Sequence, residues 1–471
     1  MAGKFGSVWS WNGKVSRGSY ALAGATGFAI KHNLDRFIAN KFDFPWGIWS
    51  YLDPLARALQ ASPLTVTEKK FLAILLLTAV PFIWVGITMT VKRLRDAGEP
   101  LWLTLLFFAP IVNLLFFTLL SVLPSKGTGV ALLSSEPERR PVSRYWPRSR
   151  GGSAALAAVF AGLVGVVVTW GDLRYLGSYG LTLFIALPFV MGYLAVWVYS
   201  RAQDPTTKDV LALISLSVLI AGIGIAAIAV EGAFCLLMAA PLAWIFALSG
   251  GMLAGVVHGG SHARQASPSP FAAMIVALPV LLGAEYVSPP PVPRFQVHTS
   301  IEIAAPPETV WKRLIQFPPL SAAKEWPFRL GIAYPIEARL TGEGMTADRE
   351  CRFSTGSFKE PILAWEPGKY FAFAVSDEPL LMKETSPYKE IHVRHLEDHD
   401  FQPERADFVL VRLQNGGTRL EGTTSYTNKM WPGIYWRMWT DAIIHRIHNR
   451  VFNHVKALAE VDAGGRALLS H

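Results

Sequence analysis

Long uncharged stretches recur between Phe71 and Ala284 and limit the folds open to this chain. Each reaches or approaches the 20 or so residues that an α-helix needs to cross a bilayer. With 17% charged residues among 471, the chain is too apolar for an ordinary soluble enzyme of this length. The sequence therefore predicts an all-α, multi-pass membrane region. The seven stretches are Phe71–Val91, Leu101–Ser125, Gly151–Gly171, Tyr175–Ser200, Val210–Val230, Gly232–Val257 and Gln265–Ala284.

The number of spans is expected to be about seven to eight. An eighth stretch, Ser19–Ile38, has a short uncharged part and fits either a span or an interfacial segment. Pro110 and Asn113 interrupt the middle of Leu101–Ser125, which favours a broken helix that turns back. One of these two segments is expected not to cross, because three simple spans would leave the basic linker that follows on the wrong face.

The net positive charge of the chain lies entirely in its membrane half. Residues 1–288 carry 22 Lys and Arg against 13 Asp and Glu, whereas residues 289–471 carry 22 of each. The positive-inside rule places the basic polar linker 126–150 in the cytoplasm, and counting spans from there puts the C-terminal domain on the extracytoplasmic side. The C-terminal domain has no surplus of basic residues to bind a phosphate backbone, so nucleic acid is not an expected partner.

A different pattern begins after the proline-rich linker 288–293. Phe295–Ile303 alternates like a strand, and a helix start at Pro306 follows it. Trp431–Glu460 carries an apolar stripe at helical spacing. The segment 294–462 is predicted to be an α+β domain, in which a curved antiparallel sheet surrounds the long last helix and leaves an apolar cavity. Residues 463–471 are predicted to be a flexible tail. The intervening strand-like runs are Tyr334–Thr341, Met345–Ser354, Pro361–Trp365, Lys369–Ser376, Ala406–Leu413 and Thr418–Thr427.

The order of these elements, with the opening segment Val297–Trp311, resembles the START-like superfamily, also called SRPBCC, polyketide cyclase or helix-grip. The resemblance covers roughly residues 294–460. Phe353–Ile362 and Trp431–Trp439 look like a membrane-attached subgroup of it. The resemblance implies a cavity for lipids, sterols, polyketides or other apolar molecules, and it implies no fixed catalytic residues.

The N-terminal block, 1–125, resembles a bacterial inner-membrane family known as domain of unknown function 805. Gly13–Tyr20, Arg93–Gly98 and the following Trp102 carry this resemblance, over roughly residues 10–125. It implies residence in the bacterial inner (cytoplasmic) membrane rather than a reaction. The second membrane block, 151–287, is predicted to hold about five helices.

Two groups of histidines are candidates for chemistry. Asp441, His445 and His448 recur at i, i+4 and i+7 and share a helical face, where they either carry protons or a metal, or form the helix's polar flank. The second group, interpreted as a solvated loop despite a spacing that would suit zinc, consists of His392, His395 and His399 with Asp398 and Asp400. The polar flank and the solvated loop are favoured, and neither a metal nor another cofactor is predicted.

Aromatic side chains are the stronger indication of a ligand site. Most are expected to fill the core, while a minority lines an apolar pocket that a few polar groups complete. Arg349 is a polar candidate for a headgroup or a carboxylate. The aromatic candidates are Phe353, Trp365, Phe371, Phe373, Tyr426, Tyr435, Trp436 and Trp439.

The sequence thus predicts a membrane-tethered START-like protein that binds or transfers a hydrophobic small molecule or lipid. Binding is favoured over catalysis. One alternative is a cyclase- or aromatase-like enzyme that uses Asp441, His445 or Tyr426 in the same cavity. A second alternative is an envelope sensor in which ligand occupancy alters the membrane helices. The expected partners are the bilayer and an apolar ligand, and no protein partner is indicated.

Overall fold

The computed structural model describes residues 9–44, 46–51, 65–108, 112–123, 125, 147, 149–177, 179–258, 269–376, 379–386, 388, 391 and 393–469. Most of the predicted linker 126–150 lies outside these residues. The chain separates into two compact units. Of the described residues, those up to 228 and those in 239–290 form the first unit, and those in 229–238 and from 291 onward form the second.

The first unit is helical throughout its described part. A short 3-10 helix, Leu101–Phe108, and a π-turn, Thr182–Ala186, accompany the α-helices. These helices are α1 (Arg17–Lys41), α2 (Val66–Ala97), α3 (Val112–Val122), α4 (Arg150–Tyr175), α5 (Leu187–Tyr199), α6 (Thr207–Ala227), α7 (Ala233–His258) and α8 (Ser269–Val287).

Five helices in the described part of the chain are long and apolar enough to cross a membrane. This establishes the helical, apolar character of the N-terminal region, and seven to eight spans remain a prediction. Within Leu101–Ser125, residues 101–108 form the 3-10 helix and α3 begins at Val112; Pro110, at the predicted interruption, lies outside the described residues. Ser19–Ile38 lies within α1, which is 25 residues long. The five helices are Val66–Ala97, Arg150–Tyr175, Thr182–Tyr199, Thr207–Ala227 and Ala233–His258.

Local sequence explains where α2 begins and ends. Thr65 and Glu68 form a capping box that satisfies backbone N–H groups of the first turn. Gly98 ends the helix with φ of 73°, a left-handed conformation that glycine adopts without a Cβ clash. Arg93, in the segment that carries the N-terminal resemblance, is fully buried and donates from Nε to the Leu120 carbonyl at 2.8 Å. In this structure Arg93 joins α2 to α3.

Two glycines let α5 and α7 pack backbone to backbone. A Cβ on Gly192 would overlap the backbone of Ala247, and a Cβ on Gly250 would overlap the backbone of Phe189. Small residues permit such close helix approach within a membrane, where dispersion contacts rather than water exclusion favour association.

The described residues of the second unit include eight antiparallel strands. They form two sheets rather than the single curved sheet predicted: a five-stranded sheet of order β1-β8-β7-β6-β5 and a three-stranded sheet of order β2-β3-β4. The strand β4 is absent from the predicted set. The strands are β1 (Arg294–Ile303), β2 (Pro335–Thr341), β3 (Asp348–Phe353), β4 (Gly356–Lys359), β5 (Ile362–Glu366), β6 (Tyr370–Ala374), β7 (Phe401–Arg412) and β8 (Thr418–Asn428).

The described part of the second unit also holds four α-helices: α9 (Pro307–Ile315), α10 (Trp326–Arg329), α11 (Arg394–Glu397) and α12 (Gly433–Leu469). The last helix continues beyond its predicted end at Glu460, so residues 463–469 are helical rather than a flexible tail. Arg313 of α9 pairs with Asp462 at 2.7 and 2.9 Å and holds this part of α12 in place. Residues 470 and 471 lie outside the described part of the chain.

The main core of this unit lies between α12 and the five-stranded sheet. Phe452, Val455 and Ala459 of α12 are fully buried there. Gly422 of β8 makes room for them, because a Cβ at this position would lie 2.5 Å from the Phe452 ring. The last helix is therefore held along the inner face of the sheet by close packing. The strand residues packed in this core include Ile303, Phe371, Phe373, Phe408, Leu410 and Leu420.

Candidate functional site

A histidine and two threonines connect α12 to the first and last strands. The Nδ1 atom of His448 lies 2.8 Å from the Thr299 hydroxyl, and its Nε2 atom lies 2.8 Å from the Thr424 hydroxyl. His448 is buried and stacks on Phe452 at a ring separation of 5.7 Å. Sequence patterns did not indicate the two threonines, because the alternation of β1 and β8 marks the inward faces of these strands but not the partners of each residue.

The other two members of the predicted polar face join the same network. The Nδ1 atom of His445 lies 2.8 Å from the Thr299 hydroxyl, and the His445 side chain is exposed. Asp441 accepts from the Tyr426 hydroxyl at 2.7 Å and from Nε of Arg437 at 3.0 Å. The structure therefore brings Asp441, His445 and His448 together with Tyr426 on one side of the closing helix, as a row of polar groups.

Burial sets the protonation of this row. It lowers the pKa of His448 to about 4, with smaller contributions from His445 and His298, so the ring is neutral at pH 7. Burial also raises the pKa of the Tyr426 hydroxyl, and Asp441 raises it further. A neutral imidazole with hydrogen bonds at both ring nitrogens, and a protonated phenol, suit a fixed polar contact better than proton abstraction.

Two of the aromatic candidates lie in the main core. Phe371 is fully buried, and Phe373 packs beside it at a ring separation of 5.5 Å. Trp365 is half-buried and makes edge contacts with Trp311 at 5.2 Å and with Phe371 at 5.8 Å. These rings contact one another across β5, β6 and α9.

Arg349 is buried on β3 and has protein partners. Its guanidinium pairs with the buried carboxylate of Glu360 and donates from Nε to the Ile315 carbonyl at 2.9 Å. It also lies over the Phe373 ring, 4.7 Å from the centroid. Burial lowers the pKa of Arg349 to about 10, which leaves the group charged at pH 7. These contacts tie the three-stranded sheet to α9.

A second apolar cluster lies between α12 and the three-stranded sheet. Phe317, Ala338 and Cys351 are its buried members, and Phe353 packs against them. Val451 of α12 contacts both this cluster and the main core, and it is only partly buried. Accessible apolar surface therefore remains beside the residue that links the two clusters.

The aromatic candidates at the start of α12 serve different contacts. Trp436 is buried and donates from Nε1 to the Trp431 carbonyl at 3.4 Å. The Tyr435 hydroxyl donates to the Met238 carbonyl within the second unit. Trp439 is half-buried.

The histidine-rich segment is not uniformly exposed. His399 and Asp398 are exposed, whereas His395 and Asp400 are buried, with 6% and 7% of their surface accessible. His395 lies beside Glu231, a residue distant in sequence, and this proximity cannot be inferred from the spacing of the histidines. His392 lies outside the described residues.

Among the comparisons with known proteins, a family match covers the N-terminal part of the chain. A family described as "Protein of unknown function (DUF805)" matches residues 8–130. No curated protein matches the chain.

Several solved structures are similar to about a third of the chain. A norcoclaurine synthase mutant from Thalictrum flavum is 11% identical; the similarity covers 36% of this chain and 96% of that one, with a TM-score of 0.24. An uncharacterized protein from Bacillus thuringiensis is 15% identical, with coverages of 35% and 98% and a TM-score of 0.23. A protein from Chromobacterium violaceum is 12% identical, with coverages of 35% and 96% and a TM-score of 0.22.

Proposed function

We propose that this chain is a multi-pass membrane protein whose C-terminal domain binds an apolar small molecule, with a lipid as the favoured class. The observation that carries the proposal is Val451, which contacts both apolar clusters of the domain and yet stays partly buried. If the helix and the two sheets were close-packed at this junction, their side chains would cover Val451 completely. An apolar ligand that binds to accessible apolar surface at such a junction is stabilised because its own apolar surface is removed from water.

Other partly buried apolar side chains support the same location. Leu340 and Trp365 pack at the edge of the main core, and Phe353 packs at the edge of the second cluster. Ligand sites combine such a lining with a few polar groups that fix orientation. The exposed imidazole of His445, whose Nδ1 lies 2.8 Å from the Thr299 hydroxyl, is a polar candidate for such a role on α12.

The chemistry of the polar row favours binding over catalysis. Both ring nitrogens of His448 are engaged by threonine hydroxyls, and the raised pKa of Tyr426 keeps its proton on the phenol. Groups held in this way orient a ligand or stabilise the helix, whereas a general base needs a pKa near the working pH.

Native mass spectrometry of the full chain released from detergent tests the proposal. We expect co-purifying lipid, and we expect Val451→Trp to remove it by filling the accessible surface. Val461→Trp is the matched control, because Val461 lies on the same helix with 74% of its surface exposed. Equal lipid occupancy in both variants, or a wild-type chain that takes up no lipid from supplied vesicles, would refute the proposal.

The match of the N-terminal block to the DUF805 family supports a place in the bacterial inner membrane, and the uncharged stretches support seven to eight spans. The charge distribution supports a C-terminal domain on the extracytoplasmic side. Reporter fusions after Pro124 and after His471 test this orientation. The first is expected to report cytoplasm and the second the opposite side. A cytoplasmic signal from both would reverse the assignment without affecting lipid binding.

A further inference from the structure

Four side chains with metal-ligating atoms meet in the second unit, away from the polar row of α12. They are Glu231, Cys235, Glu384 and His395, and one ligand atom from each lies within 4.8 Å of the others. All four belong to the second unit, which includes residues 229–238. The polar row and the apolar clusters do not use any of them.

Three separate segments supply these side chains. Glu231 and Cys235 flank the start of α7, Glu384 lies between β6 and β7, and His395 is on α11. The backbone N–H of Ala233 donates to the carbonyl of Thr385 at 2.9 Å, which holds the first segment against the second. Main-chain pairing therefore holds two of the three segments together.

The separation of two of the proposed ligand atoms fits a tetrahedral zinc-like ion. Two ligands bound to such an ion at its usual bond lengths are about 3.3–3.8 Å apart. Cys235 Sγ lies 3.4 Å from His395 Nε2. Glu231 Oε1 lies 3.5 Å from the other ring nitrogen, Nδ1. A carboxylate on the second nitrogen is the usual way in which a metal-bound histidine is oriented.

Burial and charge also favour a cation. Glu231 and His395 are almost completely buried, and both carboxylate oxygens of Glu384 are excluded from solvent. Two carboxylates and a thiol share this space with one imidazole. Buried charges of one sign are costly unless a cation or a metal neutralises them. A thiolate, an imidazole and a carboxylate together suit zinc better than magnesium or calcium, which prefer oxygen ligands alone.

We propose that Cys235, Glu384 and His395 coordinate a zinc-like divalent ion through Sγ, a carboxylate oxygen and Nε2, while Glu231 orients the imidazole through Nδ1. The site is independent of the proposed lipid-binding function. It differs from the zinc spacing considered for the histidine segment, because only His395 of that segment contributes and its partners come from distant parts of the chain.

Metal analysis of the full chain in detergent, purified after growth with zinc, tests this site. We expect one zinc ion per chain. Replacement by cobalt should produce a thiolate-to-cobalt charge-transfer band. Cys235→Ser and His395→Gln should lose the ion, and Glu231→Gln should weaken binding by about 10- to 100-fold, as loss of an orienting carboxylate does.

Two matched variants serve as controls: Cys351→Ala removes the other cysteine, and His399→Gln removes an exposed histidine near α11. Both should retain the ion. The wild-type chain gives a second test, because zinc should protect Cys235 from N-ethylmaleimide, as judged by peptide mass spectrometry. Absence of both the cobalt band and this protection in the wild type would overturn the proposal, as would loss of the band in Cys351→Ala but not in Cys235→Ser.

Discussion

Acidification should weaken the attachment of α12 to the sheet through one residue, His448. Its pKa is lowered from 6.5 to about 4 in the folded domain. The unfolded chain therefore takes up this proton at higher pH than the folded chain does, and stability falls as the pH decreases through this window. Lowering the pH from about 7.5 to about 4.5 should cost about 2–3 kcal/mol through His448 alone.

Hydrogen exchange of peptides from β1, β8 and α12 measures this loss in the full chain, because it follows opening of the domain without unfolding the membrane helices. After correction for intrinsic exchange rates, the opening constant of the wild type should rise about 70-fold through His448 over that pH range. His448→Gln should lack this component. At neutral pH the variant should be less stable by about 1–2 kcal/mol, because an amide replaces only part of the threonine bonding.

Comparing how steeply the opening constant changes with pH in the wild type and in His448→Gln removes the contribution of the other titrating groups, because both chains share those groups. His445→Gln is the control: His445 is exposed, so the variant should keep most of the acid sensitivity. If His448→Gln and the wild type lose protection in parallel between these pH values, or if NMR titration of the His448 ring gives an ordinary pKa, the reasoning is refuted.

Substitutions at three further places test the packing. Glu360→Gln should destabilise the domain by about 3 kcal/mol or more by leaving Arg349 buried without its partner, whereas Arg349→Met with Glu360→Leu should recover most of the loss, as measured by thermal unfolding. Gly422→Ala should cost about 1–3 kcal/mol by overpacking, and Phe452→Leu in the same chain should relieve part of it in denaturant titrations. Gly192→Leu should separate α5 from α7 and lower the melting temperature of the detergent-solubilised chain.

Periodicity was sufficient to predict most elements of the C-terminal domain. Alternation located β1 and β8 to within a residue or so, because each has one buried face. It missed β4, since Gly356–Lys359 is too short to display a period. It also ended the last helix too early, because the Arg313–Asp462 pair that stabilises its final turns joins elements far apart in the sequence.

The candidate site was predictable on one side only. Helical spacing placed Asp441, His445 and His448 on a common face of the helix. In the structure this face contacts β1 and β8. Their partners Thr299 and Thr424 follow from strand register, which no local pattern fixes. The burial of His395 depends in the same way on a residue more than a hundred positions away in the chain, Glu231.

The pairing of β1 with β8 governs when the domain can fold during synthesis. Arg294 pairs with Thr427, so β1, the first strand to leave the ribosome, cannot form its hydrogen bonds until β8, the last strand, has been synthesised. Until then β1 presents an open edge, which is prone to pairing with other chains. Ribosomes that stall after β7 would therefore be expected to yield nascent chains that aggregate, whereas those that stall after α12 would not.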